Sequence, residues 1–189
     1  MRTSSNRLKT RIPAAACLLL SLCFSVESKA EETTLEFQVK AGYLFNFTKF
    51  VDWPKEAFRN SESPIVVTIF GEDPFGPQFD EAVRGETTRG RPIVIKRSQR
   101  LDDLPDTHIL YICKSESHRT DQIVSRVGTK HVLTVGESSD LLRLGGVIRF
   151  VLQDGKVRFI INADAERKAG LTIGAQLKRL ASSVLGSDK

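Results

Sequence analysis

The sequence predicts an α/β fold: a three-layer sandwich with a mostly parallel sheet, an antiparallel edge hairpin and helices on both faces. Three observations predict it. Short β-branched runs alternate with helical or turn-rich patterns from residue 64 to residue 142, the signature of strands joined by crossover connections. The first of those runs, residues 64–70, is short, apolar and β-branched, as strands buried on both faces are. Near the end, Asp154-Gly155 separates two alternating runs, a strong two-residue hairpin signal.

The elements follow in order. Residues 1–30 read as a secretory signal, with Arg2, Arg7, Lys9 and Arg11 before an apolar run over 14–24 and Ser28-Lys29-Ala30 at the cleavage position. The run is shorter than the roughly 20 residues that span a bilayer, so cleavage after Ala30 and no membrane insertion afterwards are expected. Leu22 before Cys23 disfavours lipid attachment, and no twin arginine is present, which leaves the general secretion route. Residues 31–189 then form a single domain.

Residues 35–51 carry Leu35, Val39, Tyr43, Phe47 and Phe50/Val51 near helical spacing, with Glu36, Lys40 and Lys49 off that stripe. Pro54 ends this helix, because the residue before a proline avoids helical geometry. Strands are expected at 64–70, 91–96, 108–113 and 131–136, and helices near 78–83, 116–127 and 138–142. The hairpin pairs 147–153 with 156–161. Setting Gln153 against Lys156 places Leu152 opposite Val157, Phe150 opposite Phe159 and Ile148 opposite Ile161, one wholly apolar face. A short turn over 164–169 stops at Gly170, a left-handed cap. Thr172 caps a last helix striped by Ile173, Leu177, Leu180, Ala181, Val184 and Leu185.

Charge and cysteine excluded some functions. The chain has 28 basic and 23 acidic residues, net +5. The signal holds five bases and one acid, so its removal leaves 23 against 22, or +1. A nearly neutral domain lacks the basic patch of a nucleic-acid binder. Only Cys113 remains after the signal, so no intramolecular disulfide forms and the core must hold the fold.

The segments 39–54 (Val-Lys-Ala-Gly-Tyr-Leu-Phe-Asn-Phe-Thr-Lys-Phe-Val-Asp-Trp-Pro), 71–76 (Gly-Glu-Asp-Pro-Phe-Gly), Gly90-Arg91-Pro92-Ile93, 108–112, 132–136 and 161–171 resemble the YfiR family, in that family's order. The resemblance implies a periplasmic protein that represses an inner-membrane diguanylate cyclase through the cyclase's periplasmic sensor part, lowering cyclic di-GMP and disfavouring biofilm. Some members use disulfides to stabilise the repressor or sense redox state; with Cys113 alone, this chain departs there.

Candidate sites follow from the residues. Tyr43 and Trp53 combine apolar bodies with polar atoms, as partner-binding aromatics do. Arg149, Arg158, Lys178 and Arg179 offer a basic surface on the hairpin and last helix, where an acidic partner or a second copy in a homodimer would meet an exposed edge. Loops after parallel strands gather ligands, which makes Asp73, Phe75, Gly76, Ser115 and Glu116 a candidate small-ligand crevice. That supports the alternative of a periplasmic ligand-binding module reporting to another receptor. His108, His118 and His131 lack the paired spacing of metal ligands. No nucleophile-elbow, dinucleotide or phosphate-loop pattern occurs, so no catalytic set, metal or cofactor is expected. An enzyme using Cys113 is the third reading.

Overall fold

The computed structural model describes residues 35–104, 106–128 and 130–186. The chain divides into two compact units, residues 1–35 and 36–189, and every described strand belongs to the second. The signal expected over residues 1–30 lies outside the described residues.

Helix α1 (residues 35–50) gives way to a two-residue strand β1 (Val51–Asp52). An eight-stranded sheet follows, in the order β10-β8-β7-β6-β5-β2-β4-β3. Its strands are β2 (Ile65–Phe70), β3 (Thr87–Thr88), β4 (Arg91–Ser98), β5 (Ile109–Ile112), β6 (Leu133–Gly136), β7 (Ile148–Gln153), β8 (Lys156–Asn162) and β10 (Ser183–Leu185). Pairing is parallel except between β7 and β8 and between β3 and β4. β2 lies between β4 and β5 and is buried at all six positions, as its unbroken apolar run requires.

Side chains alternate across the sheet and divide the core in two. Ile69, Tyr111, Val135, Phe150 and Phe159 pack with Leu44 and Phe47 of α1, with Phe79 and Val83 of α2 (Pro77–Val83), with Ala165 of α4 (Ala163–Lys168) and with Leu177 of α5 (Ala175–Leu180). Phe70, Leu110 and Ile112 face the other way, against Ile123, Val124 and Val127 of α3 (Thr120–Val127). The result is the expected three layers.

The hairpin has the expected register, with Gln153 paired to Lys156, Phe150 to Phe159 and Ile148 to Ile161. Asp154 and Gly155 both have positive φ, 51° and 69°, which identifies a type I′ turn.

Four local expectations are corrected. First, the buried face of α1 is turned by about one residue. Lys40, Leu44, Phe47, Thr48 and Val51 are buried, whereas Leu35 and Val39 are exposed. Polar groups with internal partners can occupy a core stripe, and apolar counting does not see them. Second, α1 ends at residue 50, ahead of Pro54, because Val51–Asp52 pairs with β9 (Thr172–Ile173). Third, Thr172 therefore sits in that strand and Gly174 takes the N-cap of α5. Fourth, α5 stops at Leu180, and Val184 and Leu185 lie in β10, which runs parallel to β8. The β7–β8 hairpin is thus bordered by one further short strand. The segment 114–119 is a 3-10 turn leading into α3, and 138–142 is a turn.

Candidate functional site

Charged side chains gather just past the carboxyl ends of β2, β5 and β6, at Asp73, Glu116 and Glu137. α1 lies against them: Phe37 meets Phe75 edge-on at 6.0 Å, and Phe75 meets Tyr111 at 4.9 Å.

Lys40 is only 2% exposed. Burying an ammonium costs several kcal/mol unless it is paired, and two carboxylates pair it. Glu36, one helical turn earlier, is in direct contact, and Glu137, just past β6, lies at 2.8 Å. Glu137 also accepts the Tyr111 hydroxyl at 2.6 Å. Burial, reinforced by the Glu137 charge, holds the Tyr111 phenol far above its usual range, so it stays a donor. The network ties α1, β5 and the end of β6 together. Beside it opens a cleft of about 320 Å³, bounded by Glu36, Lys40, Glu137, Ser139 and β7 residues 149–152. Sequence reasoning placed Glu36 and Lys40 off the buried stripe and passed over Glu137. The signals were the Glu36/Lys40 spacing of four and an acid directly after the Val135-Gly136 strand end.

The crevice expected between the 71–76 and 114–116 loops is brought together but filled. The Ser115 hydroxyl accepts the Glu72 amide at 3.0 Å. Gly71 has φ +107°, and a Cβ there would meet Ser115 and Glu116 at about 2.5 Å. Asp73 accepts the Phe75 amide and pairs with Arg97 at 2.7 Å; Arg97 also holds Asp80, lowering the pKa of that carboxyl. Phe75 is buried, Gly76 is the N-cap of α2, and Glu116 is paired with Arg119.

The partner-site candidates are scattered. Tyr43 is half-buried against Phe47, Phe150 and Phe159. Trp53 packs edge-on to His108, and its buried indole N–H has no partner among the described residues. It lines a small pocket of about 150 Å³ with Lys55, Arg89 and Arg91. Arg149 lines the cleft beside Lys40. Arg158 and Arg179 are exposed, and Lys178 pairs with Glu166 at 3.1 Å.

Cys113 is buried, and burial pushes its thiol up to about 12 with Asp73 and Glu116 adding to the effect. Nucleophilic thiols need the opposite shift. His108 accepts the Val66 amide through Nδ1 at 3.1 Å and faces the Ala57 carbonyl through Nε2 at 3.1 Å. That arrangement fits the neutral ring with the proton on Nε2, and burial lowers its pKa.

The domain is thus an α/β sandwich with a polar cleft at its strand ends and a buried cysteine. Residues 37–182 match the family described as YfiR/HmsC-like, and the chain belongs to that family. The family is periplasmic, and it is regulatory rather than catalytic. No curated protein sequence matches the chain. Among solved structures, the ABC domain in complex with L-Trp from Streptococcus pneumoniae aligns at 10% identity and TM-score 0.47, covering 69% of this chain and 57% of that one. A conserved domain protein from Vibrio cholerae O1 biovar El Tor aligns at 12% and 0.45, with the same coverage. The chain thus spans 57% of the length of each of these structures. Among the described residues, no helix is long and apolar enough to cross a membrane.

Proposed function

We propose that the protein is exported, loses residues 1–30, and as a single periplasmic domain over 31–189 represses an inner-membrane diguanylate cyclase by binding the cyclase's periplasmic sensor part. Cyclic di-GMP falls while the complex holds. The observation that carries this reading is the family match over residues 37–182. The inert thiol agrees with a role in binding rather than chemistry. The basic residues Arg149, Arg158 and Arg179 and the aromatic pair Tyr43 and Trp53 are the proposed partner contacts. A homodimer is compatible with it.

The test has two parts. The tagged mature protein, purified from native membranes, should carry with it an inner-membrane protein that has a periplasmic sensor and a cyclase domain. Deleting the gene should raise cellular cyclic di-GMP, and an unchanged level sinks the repressor role. The pocket beside Trp53, with its unpaired indole N–H, favours a second reading as a ligand-binding module. A flat thermal-shift response across a metabolite panel would remove it.

A further inference from the structure

We propose that the cleft at the end of β6 is a docking notch for an extended acidic segment of a partner protein. The segment adds as a short strand to the free edge of β7 at Leu152 and sets a carboxylate on Arg149. The partner's identity as a membrane cyclase rests on the reading above; the notch itself does not.

The notch arises from unequal strand lengths. β6 has four residues and pairs with β7 only through Val135–Ile148 and Gly136–Arg149. β7 runs on for four more residues, to Gln153. The type I′ turn makes Gln153 and Lys156 a hydrogen-bonded pair, and such pairs alternate along an antiparallel ladder. Leu152 therefore points its N–H and C=O away from β8, toward the side where β6 has already ended. Strand addition uses this kind of unmatched backbone.

Two observations say what the incoming segment carries. Arg149 has five donors, but its one hydrogen bond among the described residues runs from Nη1 to the Ser139 carbonyl at 3.0 Å. Its Nε–H is buried without an acceptor. Lys40, the other cation of the cleft, is already held by Glu36 and Glu137. Arg149 is thus the cation in the cleft that lacks a carboxylate. Leu152, 60% exposed on the rim, supplies apolar contact.

The open flank of β4 is built differently. Among the described residues the outer side of β4 beyond Pro92 has no paired strand, but it carries Lys96 and Arg97, the charges that discourage strand addition. Among the described residues, Val151 and Leu152 put no charged side chain on the β7 edge.

The experiment places p-benzoylphenylalanine at Ser139, an exposed residue lining the notch, with the same substitution at Lys96 as the control edge. The full-length protein is irradiated in its own cells. An adduct is expected at Ser139, with the linked peptide carrying Asp or Glu within a few residues of the link. Leu152→Pro removes the outward N–H without touching the β8 ladder, and Arg149→Gln removes the charge. Each should reduce the adduct about tenfold or more, whereas Leu152→Thr, which keeps the N–H, should not. Thermal melts check folding, and Arg149→Gln decides alone if the proline variant is unfolded. No adduct at Ser139, or an adduct indifferent to Arg149→Gln, overturns the notch. If such an adduct is absent while the wild type still co-purifies with a cyclase, the notch fails and the repressor reading stands. If the adduct forms as expected on a protein with no cyclase domain, the notch stands and that reading fails.

Discussion

Glu137→Ala should destabilise the domain more than removing the buried lysine it holds. Glu137 contacts Lys40 at 2.8 Å and Tyr111 at 2.6 Å. Removing one partner of a fully buried ion pair costs about 3–5 kcal/mol. Glu137 and Glu36 are 26% and 24% exposed, and Glu36 stays on Lys40, so solvent and the remaining partner cut this to roughly 2 kcal/mol. The stranded Tyr111 hydroxyl adds about 1 kcal/mol. A total near 3 kcal/mol corresponds to a melting point lower by about 6–12 °C for a domain of this size. Lys40→Met keeps the volume, removes the buried charge and leaves two carboxylates that water can reach, so its cost is about 1 kcal/mol or less. In the Lys40→Met background the cost of Glu137→Ala should shrink to about 1 kcal/mol, the tyrosine part alone. Urea unfolding at constant slope measures all three. A Glu137→Ala variant within about 0.5 kcal/mol of wild type, or a Lys40→Met variant that costs as much, would refute the ion-pair argument.

Phe47→Ala empties the centre of the aromatic cluster with Phe150 and Phe159 and should cost about 3–5 kcal/mol, read by the same unfolding curves. Cys113, buried and with its thiol raised to about 12, should resist a disulfide reagent at pH 8 in the native state and react at once in urea; rapid native labelling would show that the strand end opens. His108 keeps its ring neutral in the fold because burial lowers its pKa, while the unfolded ring titrates near 6.5. The unfolded state therefore takes up a proton that the native state refuses, and stability should fall as pH drops below about 6.5 toward the folded pKa, at up to about 1.4 kcal/mol per unit. His108→Gln should flatten that limb, and an unchanged slope would assign it to other groups.

The sheet was legible because its signals are local. The unbroken run of β2 and the alternating arms of the hairpin each state their own environment, and Asp154-Gly155 fixes the register between the arms. Thr172 to Leu185 was misread because the same apolar residues fit a helix stripe and an edge strand equally well. What ends α5 at Leu180 is the parallel pairing of Ser183, Val184 and Leu185 with β8, a contact no local pattern contains. The filled crevice at Gly71 was hidden for a related reason. The sequence shows two loops at strand ends, but whether Ser115 leaves a gap or closes onto the Glu72 amide depends on their distance in space.

Lys40 is the most instructive misreading. A lysine off an apolar stripe is ordinarily solvated, and Glu36 four residues earlier looks like a surface helix pair. Burial becomes tolerable only when a second carboxylate arrives from a distant part of the chain, and Glu137 does so because β6 ends at Gly136, beside α1. Among the described residues, the same early ending of β6 leaves the edge of β7 unpaired at Leu152. One short strand therefore sets both features, the ion pair that binds α1 to the sheet and the open notch beside it. If a partner segment fills that notch, it lies against the Glu36–Lys40–Glu137 network, and loosening the network should weaken partner binding as well as stability. A Glu137→Ala variant that is destabilised yet forms the Ser139 adduct at full yield would separate the two and show that the notch is shaped by β7 alone.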